Sequence, residues 1–254
     1  MKKVILTDLD HTLLRSDGSI SASTLNVIRK CRESGMQFII ATARYWIGAE
    51  RYIKLLEPDY VISTDGTLVH HGDELIYSRE LSAEATNSVI RELLAFSDKT
   101  EITAAVGKKV FWNSEHISES EKLSRAVYSD YSSPLPFGAN KIVAQLADEH
   151  IAIETAKKHG CRLQCYRGEN WYAFLPEGAG KVDAIMRLAE ISELPLSDFT
   201  AFGDDENDIE MLKMCGTGVA VENAVPAVKA VADCVTTSND NEGVANWLQE
   251  HYLL

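Results

Sequence analysis

The stretch VILTDLD, residues 4–10, decides the fold of this chain. Its first four residues are apolar or β-branched, and the run ends abruptly at Asp8. Such a run is typical of a parallel strand buried on both faces, because a half-exposed strand alternates apolar and polar residues. A helical pattern follows, with Leu25, Ile28 and Cys31 on one face. We therefore expect a buried strand followed by a crossover helix.

Strand and helix patterns alternate on both sides of a middle segment. The amino-terminal part predicts strands at Phe38–Ala41 and Tyr60–Ile62, separated by a helix at Ile47–Leu56. The carboxyl-terminal part has the same rhythm of elements, which we predict at Lys181–Leu194 (helix), Phe199–Phe202 (strand), Asp208–Met214 (helix), Gly218–Val221 (strand) and Ala224–Ala232 (helix). Right-handed crossovers between such elements predict an α/β fold with a doubly wound parallel sheet, similar to a Rossmann fold.

The middle segment, residues 72–176, has a mixed pattern and the size of a domain, roughly 105 residues. Its predicted helices are Ala83–Phe96 and Glu149–His159, and its predicted strands are Lys109–Trp112, Asn140–Leu146 and Trp171–Leu175. We expect a discontinuous core, residues 1–71 and 177–254, interrupted by an inserted α+β domain at 72–176.

The composition excludes several classes of protein. Of 254 residues, 45% are hydrophobic and 25% charged, as in soluble globular proteins. The net charge of −13 argues against nucleic acid or an anionic membrane as the main partner. No long apolar stretch predicts a membrane span, and the apolar run before Asp8 is too short for a signal peptide. Five scattered cysteines argue against a disulfide framework, so we expect a cytoplasmic protein.

Polar side chains follow three of the predicted core strands directly. Asp8, Thr42 and Asp204 each come after a buried run, and the carboxyl ends of neighbouring parallel strands converge on one crevice. We expect Asp10 and Asp208 to join them there. A carboxylate cluster in a crevice needs a cation, and oxygen ligands favour Mg²⁺, which commonly bridges carboxylates to phosphoryl oxygens.

Four groups of residues, in chain order, resemble the motifs of the haloacid dehalogenase superfamily. They are DLDHTL at 8–13, Thr42, Lys181 and GDDEND at 203–208. The closest likeness is to the Cof-type sugar-phosphatase branch, in which a cap is inserted after the third strand. The stretch GTGVAVENA at 216–224 also resembles that branch. The likeness covers the core, whereas the inserted segment matches in position and size more than in residues.

The resemblance implies a role for each matching residue. Asp8 would be the nucleophile that forms an aspartyl-phosphate, and Asp10 would protonate the leaving oxygen and then activate water. The implied phosphate- and substrate-binding positions are Leu9, Thr42, Ala43, Lys181, Asn207 and Asn223. The implied Mg²⁺ positions are Asp8, Asp10 through its backbone carbonyl, Asp204, and Asp208 through the waters of the metal.

The function that the resemblance implies is Mg²⁺-dependent hydrolysis of a small phosphorylated metabolite, a sugar or polyol phosphate. Two alternatives stay open. A phosphomutase of the related capped type would return the phosphoryl group to another hydroxyl of its substrate, and a non-catalytic protein would only bind the phosphometabolite. Release of inorganic phosphate separates the hydrolase from both.

Three positions depart from the pattern of the branch. His11 stands where glycine is common, and Ala43 replaces the glycine that usually follows the motif threonine. Asp65 stands where asparagine is more frequent, and we expect its extra carboxylate to weaken anion binding or to favour a cationic group on the substrate.

Two further groups of residues carry expectations about position. His70 and His71 are expected in a surface turn near the start of the insertion. Four aromatic residues of the insertion are expected in its own core rather than against a substrate, namely Trp112, Tyr166, Trp171 and Tyr172.

Overall fold

The computed structural model describes residues 3–97, 100–117, 123, 125–166 and 169–253, which form two β-sheets with helices packed on them. The strands are β1 (Val4–Thr7), β2 (Gln37–Ala41), β3 (Tyr60–Ser63), β4 (Leu68–His71), β5 (Glu74–Ser78), β6 (Ile102–Val106), β7 (Lys109–Trp112), β8 (Val127–Tyr128), β9 (Lys141–Gln145), β10 (Cys161–Cys165), β11 (Trp171–Pro176), β12 (Phe199–Gly203), β13 (Thr217–Ala220) and β14 (Cys234–Val235). The helices are α1 (Ala22–Glu33), α2 (Trp46–Leu56), α3 (Ala83–Phe96), α4 (Glu149–His159), α5 (Lys181–Ser192), α6 (Ile209–Met214), α7 (Pro226–Lys229) and α8 (Gly243–Tyr252).

The first sheet has the strand order β14-β13-β12-β1-β2-β3-β4-β5. The strands from β14 to β3 pair in parallel, with β1 between β2 and β12, whereas β4 and β5 add an antiparallel edge. All four residues of β1 are buried, as expected of a central parallel strand. The predicted α/β fold with a parallel sheet is confirmed.

The second sheet belongs to the insertion and has the order β10-β11-β9-β6-β7-β8. Its β6, β9, β10 and β11 pair antiparallel, and α3 and α4 contribute to a separate hydrophobic cluster with it. The predicted start of the insertion at residue 72 needs correction, because β5 lies in the first sheet. We place the crossing after Ser78 and keep the division into core and inserted domain as a proposal.

The two crossings between core and insertion lie side by side. The Arg79 side chain, where the chain enters the insertion, donates from Nη1 to the carbonyl oxygen of Gly178, where the chain has just left it (2.9 Å). Gly66 approaches the same return segment so closely that a Cβ there would lie 2.2 Å from the Gly180 oxygen. The chain therefore enters and leaves the insertion at one place.

Local signals explain several boundaries, and tertiary contacts override others. The Ser21 hydroxyl caps α1 by accepting from the Thr24 N–H, and the buried face of α1 contains Val27 rather than the predicted Leu25, which is half-buried. The helix predicted at Ala224–Ala232 shortens to α7, which begins at Pro226, a residue suited to a first helical position.

His70 lies in β4 and is 2% exposed, so the surface turn predicted for it is wrong; only His71 is exposed. The His70 ring packs against Trp46, with ring centroids 4.3 Å apart. Burial, with the nearby Lys108 ammonium adding to it, lowers the pKa of His70 to about 4.

All five cysteines are free thiols. Within the described residues, no helix is long and apolar enough to cross a bilayer.

Candidate active site

A tight turn follows β1 and carries the first motif. It runs from Leu9 to Leu13 and is closed by the Leu14 N–H, which donates to the Leu9 carbonyl (2.8 Å). The Leu9 side chain is fully buried, which anchors the turn to the core. His11 adopts a φ of 57°, in the left-handed region that glycine tolerates best. This backbone requirement is a physical reason for glycine to be common at position 11.

Three carboxylates converge at the carboxyl edge of the first sheet, as predicted from the strand ends. One oxygen each of Asp8, Asp204 and Asp208 lies within 4.8 Å of the others. The Lys181 ammonium, at the start of α5, contacts Asp8 Oδ1 (2.6 Å) and Asp208 Oδ1 (2.7 Å). The four residues come from three separate parts of the chain.

Burial and neighbouring charges shift the pKa values of the residues in this cluster. Burial raises the pKa of Asp8 well above its ordinary value; Lys181 opposes this shift, and Asp208 and Asp204 reinforce it. Burial also raises the pKa of Asp204 to about 6, although a hydrogen bond from Thr12 acts against the shift. Burial alone would lower the pKa of Lys181, but Asp208 and Asp8 raise it above its ordinary value. The ammonium therefore stays charged.

Hydrogen bonds and a close backbone approach hold the side chains of Asp208 and Asp204 in place. Asp208 Oδ2 accepts hydrogen bonds from the backbone N–H groups of Asp204 (3.1 Å) and Asp205 (3.3 Å). Gly203 must lack a side chain, because a Cβ there would lie 2.5 Å from the Asp208 Cβ. Thr12 donates to Asp204 Oδ1 (2.6 Å), which ties the turn after β1 to the strand end of β12.

The donor set of this cluster fits Mg²⁺. All three groups offer carboxylate oxygens, which hard cations prefer, and a divalent charge would offset the burial and the like-charge repulsion that raise the pKa values of Asp8 and Asp204. Lys181 neutralises only part of the negative charge. The Asp10 side chain is not part of the cluster, so a role of Asp10 in metal binding would fall to its backbone carbonyl.

Asp10 is held by Arg44, a residue that the motif analysis did not assign to the site. Arg44 donates from Nε to Asp10 Oδ2 (2.7 Å) and from its Nη2 to Oδ1, so the contact is bidentate. The Arg44 N–H also donates to the hydroxyl of Thr42, which is buried (3.2 Å). The loop after β2 therefore supplies the residue that orients the predicted acid.

The remaining predicted binding residues separate into two groups. Ala43 and Asn207 line the cleft beside Asp8 and Asp10. Asn223 instead holds loops together: its Nδ2 donates to the His11 carbonyl (2.7 Å), and its Oδ1 accepts from the Asn239 N–H (2.9 Å). These two bonds leave one amide N–H of Asn223 for another acceptor, so its predicted role in phosphate binding stays a prediction.

A cleft of about 1100 Å³ opens over the cluster, between the core and the inserted sheet. Its walls on the insertion side include Trp112, Tyr166 and Trp171. Trp112 is 8% exposed and therefore buried as expected, whereas Tyr166 and Trp171 are only half-buried in this wall, so a core position is wrong for these two. Tyr172 packs against the hydrophobic cluster of the insertion as expected.

Asp65 does not present a free charge to the cleft. The carboxylate is 2% exposed and forms an ion pair with Lys141, which is 3% exposed. The expectation that Asp65 weakens anion binding or selects a cationic substrate is corrected, because the ammonium of Lys141 already balances its charge. No sequence signal linked these residues, which are 76 positions apart.

Comparison with known proteins decides the family. A model of haloacid dehalogenase-like hydrolases matches residues 5–248, which include both parts of the core and the insertion. The chain belongs to the haloacid dehalogenase-like hydrolase family. The resemblance to this superfamily and its Cof-type branch, read from the four motifs, is thereby confirmed.

Relatives of this hydrolase match over nearly its whole length. It is 24% identical to the 5-amino-6-(5-phospho-D-ribitylamino)uracil phosphatase YitU of Bacillus subtilis, covering 99% of this chain and 98% of the relative. It is 27% identical to the HMP-PP phosphatase of Yersinia enterocolitica, covering 100% and 96%. A crystal structure of a hypothetical protein from Geobacillus kaustophilus is 27% identical, with a TM-score of 0.87 and full coverage of both chains. The predicted class of enzyme, a phosphatase of this family, is confirmed.

Proposed function

We propose that this hydrolase is a Mg²⁺-dependent phosphatase that acts on a sugar or polyol phosphate through an aspartyl-phosphate on Asp8. The observation that carries the proposal is the convergence of Asp8, Asp204 and Asp208 with Lys181 beside the Asp10–Arg44 pair. The arrangement combines a nucleophile, a positioned acid, a cation site and a fixed positive charge.

The chemistry proceeds in two displacements. The Asp8 carboxylate attacks phosphorus, the bond from phosphorus to the leaving oxygen breaks, and Asp10 gives that oxygen a proton. Asp10 then takes a proton from a water molecule that attacks the aspartyl-phosphate, which releases inorganic phosphate and restores Asp8. Lys181 holds positive charge beside Asp8 throughout. When bound at the carboxylates, Mg²⁺ supplies positive charge to the phosphoryl oxygens.

The substrate class follows from the cleft and from the relatives. A cleft of about 1100 Å³ accommodates a metabolite with room for several hydroxyl groups. The YitU relative bears the name of a phosphatase for a phosphorylated ribityl compound, which is a polyol phosphate. Tyrosine, tryptophan and glutamine side chains on the insertion side suit a hydroxylated leaving group.

The decisive test is phosphate release by wild-type protein and by Asp8→Asn across a panel of sugar and polyol phosphates. Wild type should release phosphate with Mg²⁺, lose activity in EDTA and regain it with Mg²⁺ but poorly with Ca²⁺, whose larger coordination shell misplaces the nucleophile. Asp8→Asn should fall by more than about 10³-fold, because an amide does not form the intermediate.

A matched control is Asp17→Asn, which changes an exposed carboxylate that accepts from the Ser19 N–H in a surface turn. This variant should retain wild-type activity. Full activity of Asp8→Asn, or of exhaustively chelated wild type, would contradict the proposal. An isomerised sugar phosphate without free phosphate would favour the phosphomutase, and folded protein that binds phosphoesters without turnover would favour the binding protein.

A further inference from the structure

One of the contacts between the inserted domain and the core is centred on a buried carboxylate, that of Asp65. Asp65 lies in the turn that follows β3, with a φ of 56°. Its carboxylate receives three donors, and all three belong to the insertion: Lys141 Nζ at the start of β9, Gln164 Nε2 in β10 (3.0 Å) and the Tyr166 hydroxyl (3.4 Å). The core therefore supplies one acceptor to three side chains of the inserted domain.

The Lys141 ammonium has a second partner, the backbone carbonyl of Ala43, at 3.0 Å. The rings of Tyr45 and Tyr166 lie 4.7 and 5.2 Å from the same nitrogen and close it off further. An ammonium engaged in this way has little capacity left for a substrate anion. Its position in the cleft wall therefore needs another explanation.

The carbonyl that Lys141 holds belongs to the loop that orients the predicted acid. Ala43 precedes Arg44, whose guanidinium grips both carboxylate oxygens of Asp10. The core fixes the other side of this loop, since the Thr64 N–H donates to the Arg44 carbonyl (2.8 Å). Lys141 thus completes a line of contacts from the insertion to Asp10.

We propose that Lys141 is a positioning residue through which the docked insertion fixes the Ala43–Arg44 loop and, through it, the Asp10 carboxyl group that donates the proton. This inference rests on the proposed function of Asp10. Asp65 provides the charge that keeps the ammonium buried at the loop. Undocking of the insertion withdraws Lys141 and leaves Asp10 less precisely aimed, so proton donation is coupled to closure of the cleft.

The test uses two substrates that differ in their need for a proton. A nitrophenyl phosphate expels a stable phenolate without a proton, whereas glycerol phosphate expels an alkoxide that must receive one. We compare kcat/KM, which reports events up to departure of the leaving group and excludes the later attack of water. Lys141→Met should lower kcat/KM for glycerol phosphate by about 10- to 100-fold and for the aryl phosphate by less than about 3-fold. The variant Asp10→Asn serves as the reference: it shows the largest difference between the two losses of kcat/KM that removal of the acid can produce.

Lys108→Met is the matched control. Lys108 also belongs to the insertion and reaches the core, where it contacts the exposed Asp73 (3.3 Å) and the Trp46 ring, but it does not touch the Ala43–Arg44 loop. Its kcat/KM should match wild type for both substrates. If Lys141→Met destabilises the fold, the double variant Lys141→Met with Asp65→Asn removes the unpaired buried charge and should show the same selective loss.

Equal losses for the two substrates, or no loss for either, in a folded Lys141 variant would overturn the inference. Those results leave the proposed function standing, because wild type would still hydrolyse both esters. Failure of the proposed function has a different signature, which is the absence of Mg²⁺-dependent phosphate release from wild type itself.

Discussion

Asp204 shows how a partly buried carboxylate in the candidate site lowers the stability of the folded protein. Its carboxylate is partly buried beside Asp8 and Asp208, and its pKa of about 6 lies above the ordinary 3.8. A carboxyl group with a raised pKa holds its proton more tightly in the folded than in the unfolded state. Its contribution to stability is therefore lost as pH rises from about 4 through 6, in protein without a metal.

Asp204→Asn should therefore stabilise the metal-free protein. An asparagine oxygen still accepts the Thr12 hydrogen bond but carries no charge. In EDTA at pH 7.5 we expect the free energy of unfolding to rise by about 1 to 2 kcal/mol, after allowing for solvent screening, with a smaller gain at pH 4.5. Urea denaturation at both pH values measures this. Saturating Mg²⁺ should reverse the order, because wild type binds the ion more tightly.

The control at this scale is Asp205→Asn. Asp205 is the neighbouring carboxylate, and its side chain accepts from the Glu206 N–H in a surface cap that asparagine serves equally well. It should change stability by less than about 0.5 kcal/mol at either pH. If Asp204→Asn changed the free energy of unfolding by no more than Asp205→Asn does at both pH values, the pKa of Asp204 would not be raised.

The motifs were sufficient to predict which charged residues converge in the cleft, but not which residues orient Asp10. Asp8, Asp204 and Asp208 come together as predicted from the strand ends, and Lys181 joins them from the start of α5, as the resemblance implied. Arg44 was missed because an arginine after a strand can point in several directions. The burial of Asp65 and its ion pair depend on how two domains meet, which local sequence does not encode.

Among the elements, the turn at Gly66 is constrained both by its backbone conformation and by a close approach to the chain that enters α5. Its φ of +86° favours glycine, and a Cβ would lie 2.2 Å from the Gly180 oxygen and 2.7 Å from the nitrogen of Lys181. The turn and the start of α5 therefore pack backbone against backbone. This contact fixes the position of the first residue of α5, Lys181, relative to the carboxylate cluster.

Gly66→Ala should lower the free energy of unfolding by about 3 kcal/mol or more and should reduce activity, because α5 must shift. Gly35→Ala is the matched control: its φ is +91°, but no atom lies within 4 Å of the added Cβ. The Gly35→Ala variant should lose only the free energy of unfolding that backbone strain costs, about 1 kcal/mol, and should keep normal activity. Urea denaturation and phosphate release measure both. Equal losses in the two variants would show that the close approach contributes nothing.

Helix boundaries followed from sequence more reliably than the edge strands did. The predicted bounds of α3 and α4 are correct, because a capping serine or aspartate precedes each apolar periodicity. No strand was predicted at residues 74–78, which fell within the predicted insertion, although β5 pairs with β4 in the first sheet. Its short apolar run, Leu75–Tyr77, is at most half-buried, so pairing with β4 rather than burial defines the element.

For the whole molecule, the core and the insertion contribute different kinds of residues to the cleft. The core supplies all three carboxylates of the cluster formed by Asp8, Asp204 and Asp208, whereas the insertion supplies the side chains opposite it. Leu163→Ala and Trp171→Ala, both in the cleft wall, should lower kcat/KM for a sugar phosphate by about 10-fold or more, the usual effect of one lost apolar contact. A nitrophenyl phosphate, which needs less help from the insertion, should lose less than about 3-fold.

The control for these variants is Phe96→Ala, at the end of α3, which is exposed and outside the cleft wall. It should leave both substrates unchanged. Parallel kinetics on the two esters give the answer directly. If folded Leu163→Ala and Trp171→Ala changed both substrates by the same factor, the insertion would not determine substrate preference.

The hydrogen bond from Arg79 to the Gly178 carbonyl has a consequence for how such a protein can change over time. Because the insertion departs and returns at neighbouring points, a single contiguous stretch of coding sequence can be exchanged for another of different length without moving a strand of the first sheet. Recombination between related genes at those two points would deliver a new recognition surface to an unchanged reaction centre. Diversity of substrates can therefore arise by whole-segment exchange as well as by gradual substitution.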